Sequence, residues 1–319
     1  MPERTVTTVI DPERCIGCGE CVRVCPSQTL ALRGGKAVVS GDRSLGCGHC
    51  AAVCPTEAVR VEALDPDSLR FRTFDCSDEW VPYGAGQPGE LVRLMASRRS
   101  CRIFEERPVA REVLEDLVRI GTTAPSGTNS QAWTFTVLPS RAAVMRLGNG
   151  VGAFFKRLNR MAANPLLRNG LRLIGRPELA EYYRDYYRSV AEGLADYDER
   201  GRDRLFHGAP AAIIVASRPG GSCPAEDALL AAQNMLLGAH VLGLGSCLIG
   251  FAVSAMRKDG RIQAEIGIPP RETVYAVVAL GYPAVTYRRL TGRRKPVIRF
   301  AESQPSVPTQ PVSARAPFR

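Results

Sequence analysis

Seven of the eleven cysteines in this 319-residue chain fall in one short stretch, between Cys15 and Cys54. Their order repeats, since the run RCIGCGECVRVCPSQTL is echoed by SLGCGHCAAVCPTEAV and each run ends its cysteine series in Cys-Pro. Thiols clustered in this way are typical of metal binding rather than of disulfide bonds. Zinc sites rarely need so many evenly spaced thiolates, so the pattern favours iron–sulfur clusters.

The first run has the spacing C-x2-C-x2-C-x3-C-P. It resembles the bacterial two-cluster ferredoxins, in which three thiolates hold one cubane and the fourth reaches the other cluster. This resemblance implies a complete 4Fe-4S cluster on one set of ligands and a second cluster on the rest. The first set is Cys15, Cys18, Cys21 and Cys54, and the second is Cys25, Cys47 and Cys50.

The second cluster lacks one cysteine, because Ser44 stands where the repeat places the first thiol. Three interpretations remain open. Ser44 ligates iron through its alkoxide, or Cys76 supplies the missing thiolate, or the site holds a three-iron cluster or one with an exogenous ligand. In each case we expect this cluster to differ from its neighbour in potential and stability, since oxygen is a poorer donor to iron than thiolate.

Three segments after residue 90 carry groups that can bind phosphate or form polar turns. SRRSCR at 97–102 offers guanidinium groups, whose planar fork binds phosphate bidentately. APSGTNSQAW at 124–133 combines turn formers with hydroxyl and amide groups that can donate and accept hydrogen bonds. GLGSC at 243–247 follows an apolar helix, the reverse of the strand-to-helix order of a dinucleotide fingerprint, so we reject a Rossmann fold.

These segments resemble the nitroreductase family, including its APSxxNxQPW turn, although Ala132 replaces the family's proline. The resemblance implies an FMN site and a homodimer with FMN at the subunit interface, for which the helix 228–242 is suited, although this helix would serve equally as the core of a monomer. It also implies that the basic run at 293–295 contacts the phosphate. The implied FMN residues are Arg98, Arg99, Ser100, Pro125, Ser126, Asn129, Gln131, Gly245, Ser246, Arg293 and Arg294.

No protease-type triad or pair of carboxylates accompanies the scattered histidines His49, His207 and His240, so cofactors must carry the chemistry. We expect electrons to pass between the clusters, FMN and a small organic acceptor, which the resemblance implies to be a nitroaromatic, quinone or enone. The donor would be NAD(P)H or a reduced ferredoxin or flavodoxin. Two alternatives stay open: an electron relay to a protein partner, and a redox sensor that uses the incomplete cluster.

The patterning predicts an α+β chain, with a small ferredoxin-like two-cluster domain followed by a nitroreductase-like α/β flavin domain. The predicted limits are 1–62 for the cluster domain, 63–89 for a linker, 90–301 for the flavin domain with an insertion at about 150–206, and 302–319 for a disordered tail. Helices are expected near 90–97 and 110–121, and strands at 133–138, 211–216 and 273–280.

The net charge of +10 is not accompanied by a nucleic-acid-binding motif, so nucleic acid is not an expected partner. The apolar stretch 229–253 contains glycines and polar residues, which favours a buried helix followed by a strand over a membrane span. The N-terminus shows no secretory signal, so a cytoplasmic location is expected.

Overall fold

The structure of the protein is a computed structural model, and it describes residues 5–301. Its Cα packing divides the chain into one unit that ends at Thr286 and a second that starts at Tyr287. The described part of the second unit, 287–301, forms no helix or strand. The tail predicted to be disordered, 302–319, lies outside the described residues.

The N-terminal part of the first unit contains two antiparallel strand pairs and two one-turn helices. These elements are β1 (Thr8–Ile10), α1 (Glu20–Arg23), β2 (Leu30–Arg33), β3 (Lys36–Val39), α2 (His49–Ala52) and β4 (Val59–Val61). Strand β1 pairs with β4, and β2 with β3. The sequence repeat becomes a structural repeat, because α1 and α2 each start after a left-handed glycine, Gly19 (φ 78°) and Gly48 (φ 77°).

The rest of the first unit is built on a four-stranded antiparallel sheet with the order β5-β6-β8-β7. Its strands are β5 (Trp133–Leu138), β6 (Ala211–Ser217), β7 (Gly245–Leu248) and β8 (Thr273–Gly281). The three predicted strands agree with β5, β6 and β8. Side chains along the buried strand β6 alternate between two cores, with Ile213 and Val215 in one and Ile214 in the other.

Helices cover both faces of this sheet, so the fold class is α+β as predicted. One core contains residues of α4 (Arg111–Thr122) and α9 (Pro224–Val241), and the other contains residues of α5 (Arg141–Ala163) and α10 (Gly250–Lys258). Helix α9 followed by β7 confirms the predicted buried helix and strand. No helix within residues 5–301 has the length and hydrophobicity needed to cross a membrane. The remaining helices are α3 (Pro88–Ser97), α6 (Pro165–Leu173), α7 (Glu178–Asp185), α8 (Tyr187–Arg200) and α11 (Gly260–Glu265).

The tyrosine-rich part of the insertion packs against the core that contains residues of α5 and α10. The ring of Tyr182 stacks on Phe155 at 6.3 Å, and the ring of Tyr186 meets Phe251 edge-on at 6.0 Å. The Tyr182 hydroxyl donates to Asn159 Oδ1 at 2.6 Å. Burial raises the pKa of Tyr182 to about 12, so this phenol stays neutral and serves as a donor.

The segment predicted to be a linker has no helix or strand between β4 and α3, yet one point in it is firmly held. The fully buried carboxylate of Asp116 on α4 accepts the backbone N–H groups of Arg72 and Thr73, at 2.8–3.1 Å. It also accepts the Thr73 hydroxyl at 2.7 Å. The predicted linker is therefore anchored on α4, which belongs to the sheet-containing part of the first unit.

Candidate functional site

The predicted ligands of the complete cluster line one cavity. Cys15, Cys18 and Cys21 of the first repeat meet Cys54 of the second there, together with Ile16 and Val59. This is the crossed arrangement that the two-cluster resemblance implies. The loop that carries these ligands needs glycine at Gly17, where φ is +72° and an added Cβ would lie 2.0 Å from the Gly35 carbonyl oxygen.

A second cavity collects the remaining three cysteines, Cys25, Cys47 and Cys50, and Ser44 is part of its wall. The Ser44 hydroxyl oxygen accepts the Gly46 N–H at 3.0 Å. Cys76, the alternative fourth ligand, is exposed and does not line this cavity. His49 does line it, with Nδ1 2.8 Å from Cys47 Sγ.

Backbone amides point at the cysteine sulfurs in equivalent places of the two repeats. The N–H of Thr29 donates to Cys25 Sγ at 3.4 Å, and the N–H of Ala58 donates to Cys54 Sγ at 3.2 Å. Burial opposes ionisation of these two thiols, but the amide donors outweigh it and lower the pKa of both. Such donors also tune the potential of a bound cluster.

The cysteines surround these cavities rather than converging on one point, and within residues 5–301 no three His, Cys, Asp or Glu side chains form a single-ion site. A cubane carries its irons at the corners of a body larger than one ion, so ligands spread around a cavity fit it. Burial raises the pKa of Cys21 and Cys50, and neighbouring cysteines add to the effect. The protonated thiols are therefore favoured in the metal-free chain, and a bound metal would offset this by stabilising the thiolates.

The segment with the predicted phosphate ligands runs along the edge of the sheet. Ser100 forms a parallel bridge with Ser246 of β7, and the N–H of Cys101 donates to the Ser246 carbonyl at 2.9 Å. Gly245 must be glycine, because an added Cβ would lie 2.7 Å from Cys101 Sγ. The structure thus places Ser100 beside Ser246, and FMN binding by 98–100 and 245–246 stays a prediction.

Beside this edge lies a cavity of about 1200 Å³, called here the large cavity. Its wall includes Arg102 and His207, neither of which was predicted, together with Cys247 and Gly250. His207 adopts a positive φ of 58°, and burial together with the Arg102 charge lowers its pKa. Burial also raises the pKa of Cys247, so the thiol stays protonated. A cationic guanidinium and a neutral imidazole therefore face the same space.

The segment 124–133 forms a strained turn before β5. Three of its non-glycine residues, Thr128, Asn129 and Gln131, have positive φ values between 44° and 54°, a conformation that is costly and clusters at functional sites. The turn is held by Asp227, whose side chain is buried at the start of α9. Its carboxylate accepts the Gly127 N–H at 2.8 Å and the Ser130 hydroxyl at 3.0 Å.

Asn129, predicted to contact FMN, hydrogen-bonds the cluster domain in this chain. Its Nδ2 donates to the carbonyls of Leu45 and Gly46 at 3.2 and 3.0 Å, and its Oδ1 accepts Gln131 Nε2 at 2.9 Å. Leu45 and Gly46 lie between Ser44 and Cys47, in the loop of the second cluster. The same turn also holds Ser126, whose hydroxyl accepts the Gln131 N–H at 3.1 Å, and the exposed Pro125.

A cavity of about 570 Å³, the turn cavity, opens where these two loops meet. Ser44, Gly46, Asn129 and Gln131 line it, and it shares no wall residue with the large cavity. The predicted FMN residues are therefore divided within one chain. Those at 98–100 and 245–246 lie at the sheet edge, and those at 125–131 lie at the cluster loop.

Arg293 and Arg294, predicted to bind phosphate, belong to the second unit. Both are exposed and lie in a segment without helix or strand. Their role stays a prediction.

Comparison with known proteins agrees with both halves of this organisation. Residues 95–282, more than half of the chain, match the nitroreductase family, and residues 8–61 match the 4Fe-4S dicluster domain. The second match confirms the prediction of two clusters.

Individual relatives are similar over the flavin half. A putative NADH dehydrogenase/NAD(P)H nitroreductase of Archaeoglobus fulgidus is 24% identical over 61% of this chain and 86% of its own length. A 4-nitrobenzoate reductase of Nocardioides sp. is 27% identical over 59% of this chain and 78% of its own. A nitroreductase from Desulfitobacterium hafniense, solved with bound FMN, is 22% identical, with a TM-score of 0.48, over 66% of this chain and 98% of its own. This chain belongs to the nitroreductase family of oxidoreductases and carries a 4Fe-4S dicluster domain at its N-terminal end.

Proposed function

We propose that this protein moves electrons from its iron–sulfur clusters through FMN to a small organic acceptor of the nitroaromatic, quinone or enone type. The cofactors are FMN and two iron–sulfur clusters. FMN, when bound, can take up electrons singly and release them as a pair, which matches one-electron donors to a two-electron acceptor. The residues of this chain bind the cofactors and fix the distance between them.

The observation that carries the proposal is the Asn129 amide, which joins the flavin-motif turn to the loop of the second cluster. Two hydrogen bonds from one side chain to successive carbonyls, at 3.2 and 3.0 Å, fix both the separation and the orientation of the loops. Asp227 holds the turn from the other side through Gly127 and Ser130. Since electron tunnelling falls steeply with distance, a fixed contact at this place supports transfer between the second cluster and the flavin.

The exposure of the first cluster supports an order of electron transfer. Cys18 of the first cluster is exposed, and Ile16 in the same cavity wall is 64% exposed. The first cluster can therefore meet an external one-electron donor, a reduced ferredoxin or flavodoxin, while the second stands next to the turn. NAD(P)H is an alternative donor that would act directly at the flavin, and the name of the Archaeoglobus relative is in line with it.

A homodimer would complete the flavin site. One chain presents turn residues in the turn cavity, and the segments that carry the sheet-edge residues reach the large cavity through Arg102 and Cys247. The two cavities share no wall residue, as expected if each FMN takes one set from each copy. Helix α9 also presents Leu229, Leu230 and Val241, which are 44–65% exposed in the single chain. Large apolar side chains on one helix favour association, and they support the interface that was predicted on the helix 228–242.

The experiment replaces the Asn129 amide by a carboxylate of the same shape. Asn129→Asp removes both donors and places a negative charge against two carbonyl oxygens, so the turn and the cluster loop should separate. The matched control is Asn234→Asp, because Asn234 Nδ2 donates to the Thr123 hydroxyl at 3.0 Å on another part of the surface. Iron, sulfide and FMN content are measured for both variants, together with the rate at which flavin is reduced after the clusters are reduced anaerobically.

We expect Asn129→Asp to retain its cofactors and to slow flavin reduction several-fold, while Asn234→Asp matches the wild type. Equal rates in the two variants would contradict the proposed route. Wild-type turnover of 4-nitrobenzoate or 1,4-benzoquinone with a reduced donor separates the enzyme from the relay alternative. A relay would show flavin reduction without turnover of either compound.

A further inference from the structure

A separate cavity of about 470 Å³ lies between helices α5 and α8, and we call it the apolar chamber. Its wall includes Val151 and Phe155 of α5, Val190 and Leu194 of α8, and Phe251 of α10. This volume lies within the range of about 300–1,000 Å³ that is typical of small-molecule sites. None of the predicted FMN or cluster residues contributes to this wall.

Three helical glycines keep the chamber open: Gly148 and Gly152 of α5 and Gly193 of α8 all line it. Glycine is among the least favourable residues in a helix interior, so its presence in both facing helices calls for a physical reason. Close packing against neighbouring atoms is not that reason. An added Cβ would find its nearest neighbours at 3.7 Å at Gly148 and at 3.9 Å at Gly152 and Gly193, which are ordinary van der Waals distances.

Glycines elsewhere in the same fold do have a packing reason. Gly121 of α4 and Gly238 of α9 lie where these two helices cross. An added Cβ would be 2.9 Å from Met235 Cγ at Gly121 and 2.8 Å from Ile120 Cδ1 at Gly238. The contrast indicates that the glycines at 148, 152 and 193 preserve empty volume rather than close contact.

The chemistry of the wall restricts what can fill that volume. Its polar side chains are already engaged with other residues of the chain, so they leave no unpaired charge for a ligand. Three such pairs are Tyr197 with Asn149 at 3.3 Å, Lys156 with Asp198 at 2.7 Å, and Asp203 with Arg141 at 2.9 Å. The surface that remains is aliphatic and aromatic, and it suits an uncharged apolar group.

The chamber adjoins the large cavity, because Phe155, Arg204, Leu205 and Phe251 belong to both walls. The large cavity also holds Arg102 and Cys247 at the sheet edge, where the proposed flavin site lies. We infer that the apolar chamber binds the apolar substituent of the electron acceptor while the acceptor's reducible ring occupies the large cavity. The acceptor class is thereby narrowed to rings that carry an aliphatic or aromatic extension, and this inference rests on the proposed function.

The test uses the cofactor-loaded full chain and fills the chamber from one side. Gly152→Leu places a branched side chain in the chamber, and Gly193→Ala narrows it from the opposite helix. The control is Gly150→Ala on the same helix, since Gly150 does not line the chamber and its Cβ would face Ile262 at 3.5 Å. Binding of n-butylbenzene is measured by calorimetry, and KM is measured for 1,4-benzoquinone and for its n-hexyl derivative.

Each methylene moved from water to apolar surroundings strengthens binding about fourfold, so the wild type should show a lower KM for the hexyl compound. We expect Gly152→Leu to weaken n-butylbenzene binding at least about tenfold and to remove the lower KM of the hexyl compound. Gly150→Ala should keep both the n-butylbenzene binding and the lower KM. Gly193→Ala should weaken binding to a smaller extent and raise the midpoint of thermal unfolding, because alanine favours the helix.

Unchanged n-butylbenzene binding in Gly152→Leu would overturn the inference. Loss of the dimer in Gly152→Leu with unchanged n-butylbenzene binding would also overturn the inference, because a second copy of the chain would then fill the chamber. Failure of the proposed function gives a different result, since neither quinone would be reduced by the wild type although n-butylbenzene still bound.

Discussion

Removal of the Asp227 carboxylate should destabilise the turn at 124–133 far more than removal of its exposed neighbour Glu226. Asp227 is 3% exposed and accepts two hydrogen bonds, from the Gly127 N–H at 2.8 Å and the Ser130 hydroxyl at 3.0 Å. A hydrogen bond to a charged group contributes about 1.5–3 kcal/mol. Asp227→Ala leaves both donors unsatisfied, so we expect a loss of about 3–5 kcal/mol in the free energy of unfolding.

Two further variants separate the hydrogen bonds from the helix dipole. Glu226 occupies the same first turn of α9 but is exposed, so Glu226→Ala should cost only the dipole interaction, about 0.3–1 kcal/mol. Asp227→Asn keeps an acceptor for Gly127 and can donate to the Ser130 oxygen, so its cost should be about 1 kcal/mol. The expected order of destabilisation is therefore Asp227→Ala, then Asp227→Asn, then Glu226→Ala.

The assay is anaerobic urea unfolding of the cofactor-loaded protein, followed by tryptophan fluorescence. The chain has two tryptophans, the buried Trp133 directly after the turn and the 74% exposed Trp80. A Trp80→Phe background leaves Trp133 as the reporter of this region. Equal midpoints for Asp227→Ala and Glu226→Ala would refute the conclusion that the carboxylate holds the turn.

Three other predictions address the linker, the second cluster and acid stability. Asp116→Ala should speed tryptic cleavage after Arg72 because the backbone of the linker loses its acceptor, whereas the exposed Glu112→Ala on the same helix should not. Ser44→Cys should slow iron loss in air relative to the wild type, since it supplies a fourth thiolate in the second cluster cavity, and faster loss would contradict this. Burial opposes ionisation of Asp203, but its hydrogen bonds and Arg141 lower its folded pKa below the reference of 3.8. The stability that ionised Asp203 contributes is therefore fully present above pH 3.8 and is lost as the pH falls through its lowered pKa. The difference in thermal midpoint between the wild type and Asp203→Asn should be large at neutral pH and shrink in acid.

The parts of this molecule that sequence reasoning predicted are local in the chain. The first cysteine run places four ligands within eleven residues, and each motif brings its own glycines and turns. The resemblance to two-cluster ferredoxins implied the distant partner ligand Cys54, and the structure places Cys54 in the first cavity. The strand limits at 133–138 were likewise set by one continuous β-rich run.

Contacts between distant residues were missed because no local signal marks them. Asp227 lies 100 residues from Gly127, and an acidic residue in the first turn of α9 is favoured by the helix dipole alone. Arg102 stood beside the predicted arginines but was not included, and His207 was treated as one of several scattered histidines. His207 has a left-handed backbone and lines the large cavity. Both features depend on the loop at 203–208 folding around Asp203.

The position of Asn129 shows why the predicted FMN residues form two groups. The turn formers of 124–133 are needed for the turn itself, because Asp227 accepts the Gly127 N–H and three residues have positive φ values. In this chain the amide of Asn129 meets the carbonyls of Leu45 and Gly46, and these belong to a domain that the motif alone does not imply. The turn can then perform two tasks at once, since Gln131 and the backbone of the turn still face the turn cavity while Asn129 fixes the cluster loop. A turn that the nitroreductase part of the chain already contains can therefore hold the loop of the second cluster, without a new fold in that part.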